Sequence, residues 1–210
     1  MKNRILRTLL IVSTIVAIAN MMQSCAVAAD AMPSESLRFR KETAVNGIII
    51  GSITFPKEKA KHNGYFIRVI SKDTAKKIVK KNSIELQVSP EQIFKMKHKG
   101  QLDNGLTYLF AIERPEGNYE ISSIRLFDNY GYVSTNAVLS GFSIPIEVKK
   151  GEITYVGTIL FDEHLDKTSQ EKRIKLTSNF EKDIKAFQKV QPMTDWRMVV
   201  DKKEYLINYN

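Results

Sequence analysis

The stretch "FDEHLD", residues 161–166, holds the densest set of side chains able to bind a metal or move a proton. Asp162, Glu163, His164 and Asp166 offer oxygen and nitrogen donors, and oxygen ligands at such spacing can hold calcium. The glycine and ligand rhythm of a calcium loop is missing, so the expectation is an acidic surface loop with no metal and no cofactor. His62 and His98 stand apart, without a His-x-x-x-His pair or a cysteine beside them. Ser140 in "VLSGF" lacks the G-x-S-x-G elbow that would expose a nucleophile, and no local cue places a base near it. Phosphate loops and dinucleotide fingerprints are absent. Asp162 and Glu163 could serve glycoside hydrolysis only at a separation in space that sequence does not state. No catalytic residue is assigned, and the chain leans away from an enzyme.

A second stretch, "LFDNYGYVS", suggests binding instead. Phe127, Tyr130 and Tyr132 surround Gly131, with Asp128 and Asn129 supplying hydrogen-bonding groups. Exposed rings beside such groups can recognise a sugar face or a partner protein. The alternative is that Phe127 ends a buried strand and the tyrosines pack the turn. Tyr130, Tyr132, Asp128 and Asn129 are the candidate ligand-binding residues.

Cys25 follows a segment built like a secretory leader. Lys2, Arg4 and Arg7 precede the apolar run "TLLIVSTIVAIA". A membrane-spanning helix needs about 20 apolar residues, more than this run supplies. "Met22-Gln23-Ser24-Cys25" resembles a lipobox, in which a small residue precedes the cysteine that receives diacylglycerol; Ser24 fits, and Met22 and Gln23 depart from the usual residues. "Ala26-Val27-Ala28" and "Val27-Ala28-Ala29" instead read as small-x-small sites for ordinary signal peptidase. Lipid attachment at Cys25 is the favoured expectation, because it follows the apolar core closely; a soluble periplasmic or secreted protein is the alternative. Either cut leaves a folded part without a free thiol, so no disulfide framework stabilises it.

The chain carries 32 basic and 23 acidic residues, a formal charge of +9. Removing Lys2, Arg4 and Arg7 with the leader leaves 29 against 23, a net of +6. The excess gathers in clusters: Lys57, Lys59 and Lys61; Lys76, Lys77, Lys80 and Lys81; Lys95, Lys97 and Lys99. An exported protein meets lipid headgroups and envelope phosphates or carboxylates, so no nucleic-acid partner is expected. An ordinary solvated face is the simpler reading of the same lysines.

These residues must be positioned by strands. In "NGIIIGSITF", Ile48 and Ile50 oppose Ile49, Ile53 and Phe55, and "GYFIRVI" and "SIELQV" continue the period of two. "IFKMKHKG" sets Phe94 and Met96 against Lys95 and Lys97. Asp103-Asn104-Gly105 predicts a tight turn, with Tyr108, Phe110 and Ile112 as a buried row beyond it. Pro115 and Gly117 turn the chain into a strand from Tyr119, and Pro145 predicts an edge or a bulge. A further pair places Phe142, Ile144, Ile146 and Val148 in one row, then Ile153, Tyr155, Ile159 and Phe161 beyond Lys149-Lys150-Gly151. Near the end, Phe180, Ile184 and Phe187 fall on one helical stripe after Ser178 or Asn179, and Pro192 stops it. Phe187 and Trp196 are expected to close an end of the fold. A weaker helical turn is predicted in "DTAKKIVKK".

"RPEGNYEI", "FSIPIEVKKGEITYVGTI" and the "DIKAFQ" helix together resemble bacterial exported lipoproteins with a prealbumin-like or carboxypeptidase-regulatory-like β-sandwich. Pro115, Gly117 and Tyr119 match a Pro-x-Gly-x-Tyr turn; Gly151, Glu152, Tyr155 and Gly157 match a later Gly-Glu-x-x-Tyr-x-Gly element. The resemblance implies fold, and no functional residue transfers. The expected fold is all-β, an Ig-like or prealbumin-like antiparallel β-sandwich with a C-terminal α-helix. The expected organisation is a signal peptide at 1–24, a lipid-anchored linker at 25–45, the β domain at 46–177, and a helix and tail at 178–210 packing on it. The expected role is a non-enzymatic binding or scaffold lipoprotein of the bacterial cell envelope, on the outer membrane, with an envelope protein as partner. A glycan-binding or glycan-hydrolysing envelope protein is the alternative.

Overall fold

The computed structural model describes residues 29–32, 37–89, 92, 97–165, 173–202 and 204–209. Most of its regular structure is β. In chain order the elements are β1 (Ala29–Asp30), β2 (Gly47–Thr54), β3 (Gly64–Ser71), α1 (Lys76–Asn82), β4 (Ile84–Gln87), β5 (Thr107–Arg114), β6 (Gly117–Asn129), β7 (Ser134–Leu139) and β8 (Phe142–Val148). Then follow β9 (Ile153–Phe161), β10 (Ile174–Thr177), α2 (Phe180–Val190), β11 (Val199–Asp201) and β12 (Asn208–Tyr209). One sheet runs β1-β4-β3-β6-β8-β12, with β7 also on β6; the other runs β10-β9-β2-β5, with β11 also on β9.

The sheets meet through a shared core. Ile49, Ile53, Tyr108, Phe110, Ile159 and Phe161 from the second sheet are clustered with Tyr65, Ile67, Val69, Leu86, Tyr119, Ile121, Ile144 and Ile146 from the first. The opposite parity of β2 and β5 (Ile48, Ile50, Leu109 and Ala111) is also buried, against Ile184, Ala186, Phe187 and Trp196. Strands covered on both faces carry nearly unbroken apolar runs, as "GIIIGSIT" and "TYLFAI" do. Helix α2 therefore lies across the outer face of the second sheet rather than over an end. The outward isoleucines of β2 require a cover, and the Phe180, Ile184 and Phe187 stripe provides it.

Three expectations are corrected. The arrangement is mixed, since β2 pairs with β9 in parallel, as do β1 with β4 and β11 with β9. The segment expected to be a linker is built into the domain where it is described: Ala29 pairs with Leu86, and Ala31 and Phe39 are buried. Finally, β9 does not keep one row. Ile153 and Tyr155 face α2, whereas Ile159 and Phe161 face the inter-sheet core. Tyr155 pairs with Ile50 and Thr158 with Ser52, so β9 has one more residue than β2 between these pairs. That bulge reverses the faces, and Gly157 takes φ +106° within it.

The turn at residues 103–105 forms as a short 3-10 segment, with Asp103 and Asn104 at φ 54° and 55°. Pro145 lies past the two residues of β8 that pair with β12.

The first sheet has two distinct ends. Gly64 of β3 pairs with Phe127 and Ser71 with Tyr119, so the start of β3 lies beside the end of β6. The β6–β7 hairpin and α1 consequently sit at opposite ends of an eight-residue strand, about 26 Å long.

Candidate functional site: the aromatic hairpin and its buried brace

At the hairpin end, β3 begins at Gly64, which turns Tyr65 into the core, and β9 ends at Phe161, after which Glu163 turns inward too. The Glu163 and His98 side chains are both 0% exposed, with His98 Nε2 3.1 Å from Glu163 Oε1. Glu163 Oε2 accepts from the Lys61 backbone N–H at 3.0 Å and from the Tyr65 hydroxyl. The Lys61 ammonium donates to the Glu163 carbonyl at 3.0 Å. On the far side of His98, Nδ1 lies 3.4 Å from the Tyr108 hydroxyl, which accepts from the Lys99 N–H at 2.7 Å. Phe55 stacks on the His98 ring, with centroids 4.0 Å apart.

Burial alone would push the Glu163 carboxyl up. The hydrogen bonds from His98 and Tyr65, the His98 charge and the Lys61 N–H together outweigh it and hold the group below its ordinary range. Tyr65 and Tyr108 are pushed up, first by burial, and stay neutral; Tyr65 donates to Glu163. An acid–base set must reach the proton it moves. With both side chains sealed from solvent, this network serves as a clamp on the loops around residues 61, 98 and 163.

The clamp continues into the hairpin. His62 Nδ1 is 2.9 Å from Asp128 Oδ2, and the His62 N–H donates to the Tyr65 hydroxyl at 2.9 Å. Asn63, 1% exposed, receives the Asn129 N–H on Oδ1 at 2.9 Å and donates its own N–H to the Phe127 carbonyl at 2.8 Å. Asn129 Oδ1 accepts from Gly131 N–H at 2.9 Å, and Tyr130 N–H donates to Val133 at 2.9 Å. Beyond this frame Tyr130 is 63% exposed, Tyr132 105% and Val133 61%. Asp128 and Asn129 thus brace the hairpin while Tyr130 and Tyr132 project from it.

A second buried polar set pins α2. Asp183, 1% exposed, accepts from Ser52 Oγ at 2.6 Å, from the Tyr155 hydroxyl at 2.8 Å and from Thr158 Oγ1 at 3.2 Å. Burial pushes this carboxyl up despite the three hydroxyls that favour its charge. Asp183 stands in the first turn of α2. Its position three residues after Phe180 and four before Phe187 is the signal that places it on the buried stripe.

Among the other candidates, Cys25 lies outside the described residues. The "FDEHLD" stretch is not a surface loop throughout, because Glu163 is completely buried. Two parities pointed there. Glu163 follows Ile159 and Phe161 at steps of two, and His98 continues the Phe94 and Met96 row. Among the described residues no three His, Cys, Asp or Glu side chains stand close enough to hold a metal.

No family model and no curated protein matches the chain. Among solved structures, a leucine-rich repeat protein from Bacteroides thetaiotaomicron aligns at 14% identity with a TM-score of 0.32. The alignment covers 70% of this chain but 16% of that one, a likeness too distant to argue fold or function.

Proposed function

We propose that this chain is a non-enzymatic binding or scaffold lipoprotein of the bacterial cell envelope, and that the β6–β7 hairpin is its contact surface. The reading takes 1–24 as a leader, Cys25 as the acylated residue, and the two-sheet body as an Ig-like or prealbumin-like sandwich facing the periplasm or the exterior. The observation that carries it is the pairing of exposure with bracing. Tyr130 and Tyr132 project at 63% and 105% exposure from a turn whose strands are tied down by His62, Asn63 and the buried Glu163 clamp. Rigid aromatic anchors lose little conformational entropy on binding, which suits a recognition surface.

The test is chemical crosslinking in intact envelopes followed by pull-down, with wild type beside Tyr130→Ala/Tyr132→Ala. One reproducible protein partner, lost in the double variant while the circular dichroism spectrum is unchanged, is the expected result. Equal capture by both forms removes the hairpin from the reading. Intact mass of the membrane-extracted protein checks the anchor; a mature chain starting at Ala29 or Asp30 without lipid overturns it.

Two exposed tyrosines flanking Gly131 also favour a second reading, in which the rings stack on a sugar face. A glycan array with the same two proteins separates the cases. Saturable sugar binding that disappears in the double variant would replace the protein partner with a glycan.

A further inference from the structure

Helix α1 has no buried residue, an unusual condition for a helix in a folded domain. Its sequence "KKIVKKN" exposes Lys76, Lys77, Lys80 and Lys81 together with Ile78, which is 42% exposed. Beside it runs a groove of about 630 Å³, lined by Ile70, Val79 and Ile84 together with Arg68, Lys76 and Lys80. Two carboxylates share the groove. Glu85 is matched by Arg125 through bonds of 2.9 and 2.7 Å, and Asp73 accepts the Ala75 N–H at 2.8 Å. Among the described residues the four α1 lysines and Arg68 form no ion pair.

The chain path adds a second, independent observation. β1 runs parallel to β4 with Ala29 opposite Leu86, itself opposite Ile67 midway along β3, so the chain enters β1 from the direction of Ile84, the residue to which α1 leads. Cys25 precedes Ala29 by four residues, a reach of at most about 14 Å. From a point level with the middle of β3, and in the direction from which the chain enters β1, that reach is long enough to bring an acyl chain on Cys25 to the end of the sheet that carries α1; the aromatic hairpin occupies the other end.

From this we infer that the α1 face docks on an anionic membrane surface, with the lysines and Arg68 on headgroup phosphates and Ile78 at the acyl boundary. The inference rests on the anchored reading above. Basic side chains near such a surface each add to the attraction, and one exposed apolar residue adds contact with the acyl boundary. Among the lysines at the other end, Lys97 is paired with Glu58 at 2.6 Å.

The experiment uses the full chain with vesicles of phosphatidylcholine, alone or with about 30 mol % phosphatidylglycerol. Flotation reports whether the chain is held by its anchor, and hydrogen exchange reports the amides of residues 76–82. Expected is an exchange slowing of about tenfold or more in α1 on the anionic vesicles only, reversed at high salt. Lys76→Gln/Lys77→Gln/Lys80→Gln/Lys81→Gln should abolish it, and Lys57→Gln/Lys59→Gln/Lys97→Gln/Lys99→Gln should leave it intact. Equal α1 exchange on both vesicles, or equal loss in both variants, overturns the docking. A chain that floats with both vesicles but never protects α1 keeps the anchor and loses the docking. One that protects α1 on anionic vesicles without floating on neutral ones does the reverse.

Discussion

At the residue scale, two buried carboxylates behave oppositely, and the difference lies in their donors. Glu163 has His98, Tyr65 and Lys61 N–H and is held below the ordinary carboxylate range; Asp183 has three neutral hydroxyls and is pushed above it. A depressed carboxyl adds stability that is present above its unfolded pKa and disappears as pH falls through the folded one. Wild type should therefore lose thermal stability as pH drops below the ordinary carboxyl value of 4.5. Glu163→Gln should be about 1–3 kcal/mol less stable at pH 7 and flatter across that acid window. Thermal melts at stepped pH check this, and parallel curves would mean that Glu163 is not the group responsible. Asp183→Ala leaves the Ser52 and Tyr155 hydroxyls buried without their acceptor and should cost about 2–4 kcal/mol in denaturant unfolding.

At the element scale, the β9 bulge decides which layer each of its side chains enters. A Cβ on Gly157 would stand 2.7 Å from the Tyr205 ring and 2.9 Å from the Thr177 carbonyl, at a φ that side chains avoid. Gly157→Ala should lose about 1–3 kcal/mol, because the bulge must shift or the Tyr205 cover must open. Measurement of the urea midpoint tests it; a change under about 0.5 kcal/mol would show the bulge to be tolerant. Helix α2 depends on the same switch, since Tyr155 must face outward to reach Asp183 at 2.8 Å. Phe187 is fully buried and stacks on Trp196 with centroids 4.9 Å apart, so Phe187→Ala should cost about 3–5 kcal/mol and expose the outer face of β2 and β5.

At the scale of the whole molecule, the first sheet is polar in the sense that its ends differ. One end carries an unburied lysine helix; the other carries the sealed Glu163 clamp and the exposed tyrosines. On the proposed reading, one end faces the support and the other the partner. Stability and recognition should separate accordingly. Tyr130→Ala/Tyr132→Ala should leave the unfolding free energy within about 0.5 kcal/mol of wild type, because both rings are solvent-exposed. A larger loss would mean that the rings hold the hairpin together, and the binding test with that variant would need single substitutions.

The alternation of "NGIIIGSITF" and of Tyr108, Phe110 and Ile112 was enough, by itself, to establish a β-rich body with these residues in its core. Short-range physics explains this success: a period of two fixes which side chains share a face before any partner strand is chosen. The same local logic marked the Asn104-Gly105 turn and the Phe180, Ile184 and Phe187 stripe. Parallel pairing of β2 with β9 could not be read, because residues about 100 apart must meet before it exists. The extra residue in β9 likewise acquires meaning only against β2. The sequence places Glu163 in an acidic surface loop, because isolated ionisable groups are costly to bury. Tertiary structure removes that cost by bringing Tyr65, Lys61 and the His98 ring to one carboxylate, a constellation drawn from three separate segments of the chain.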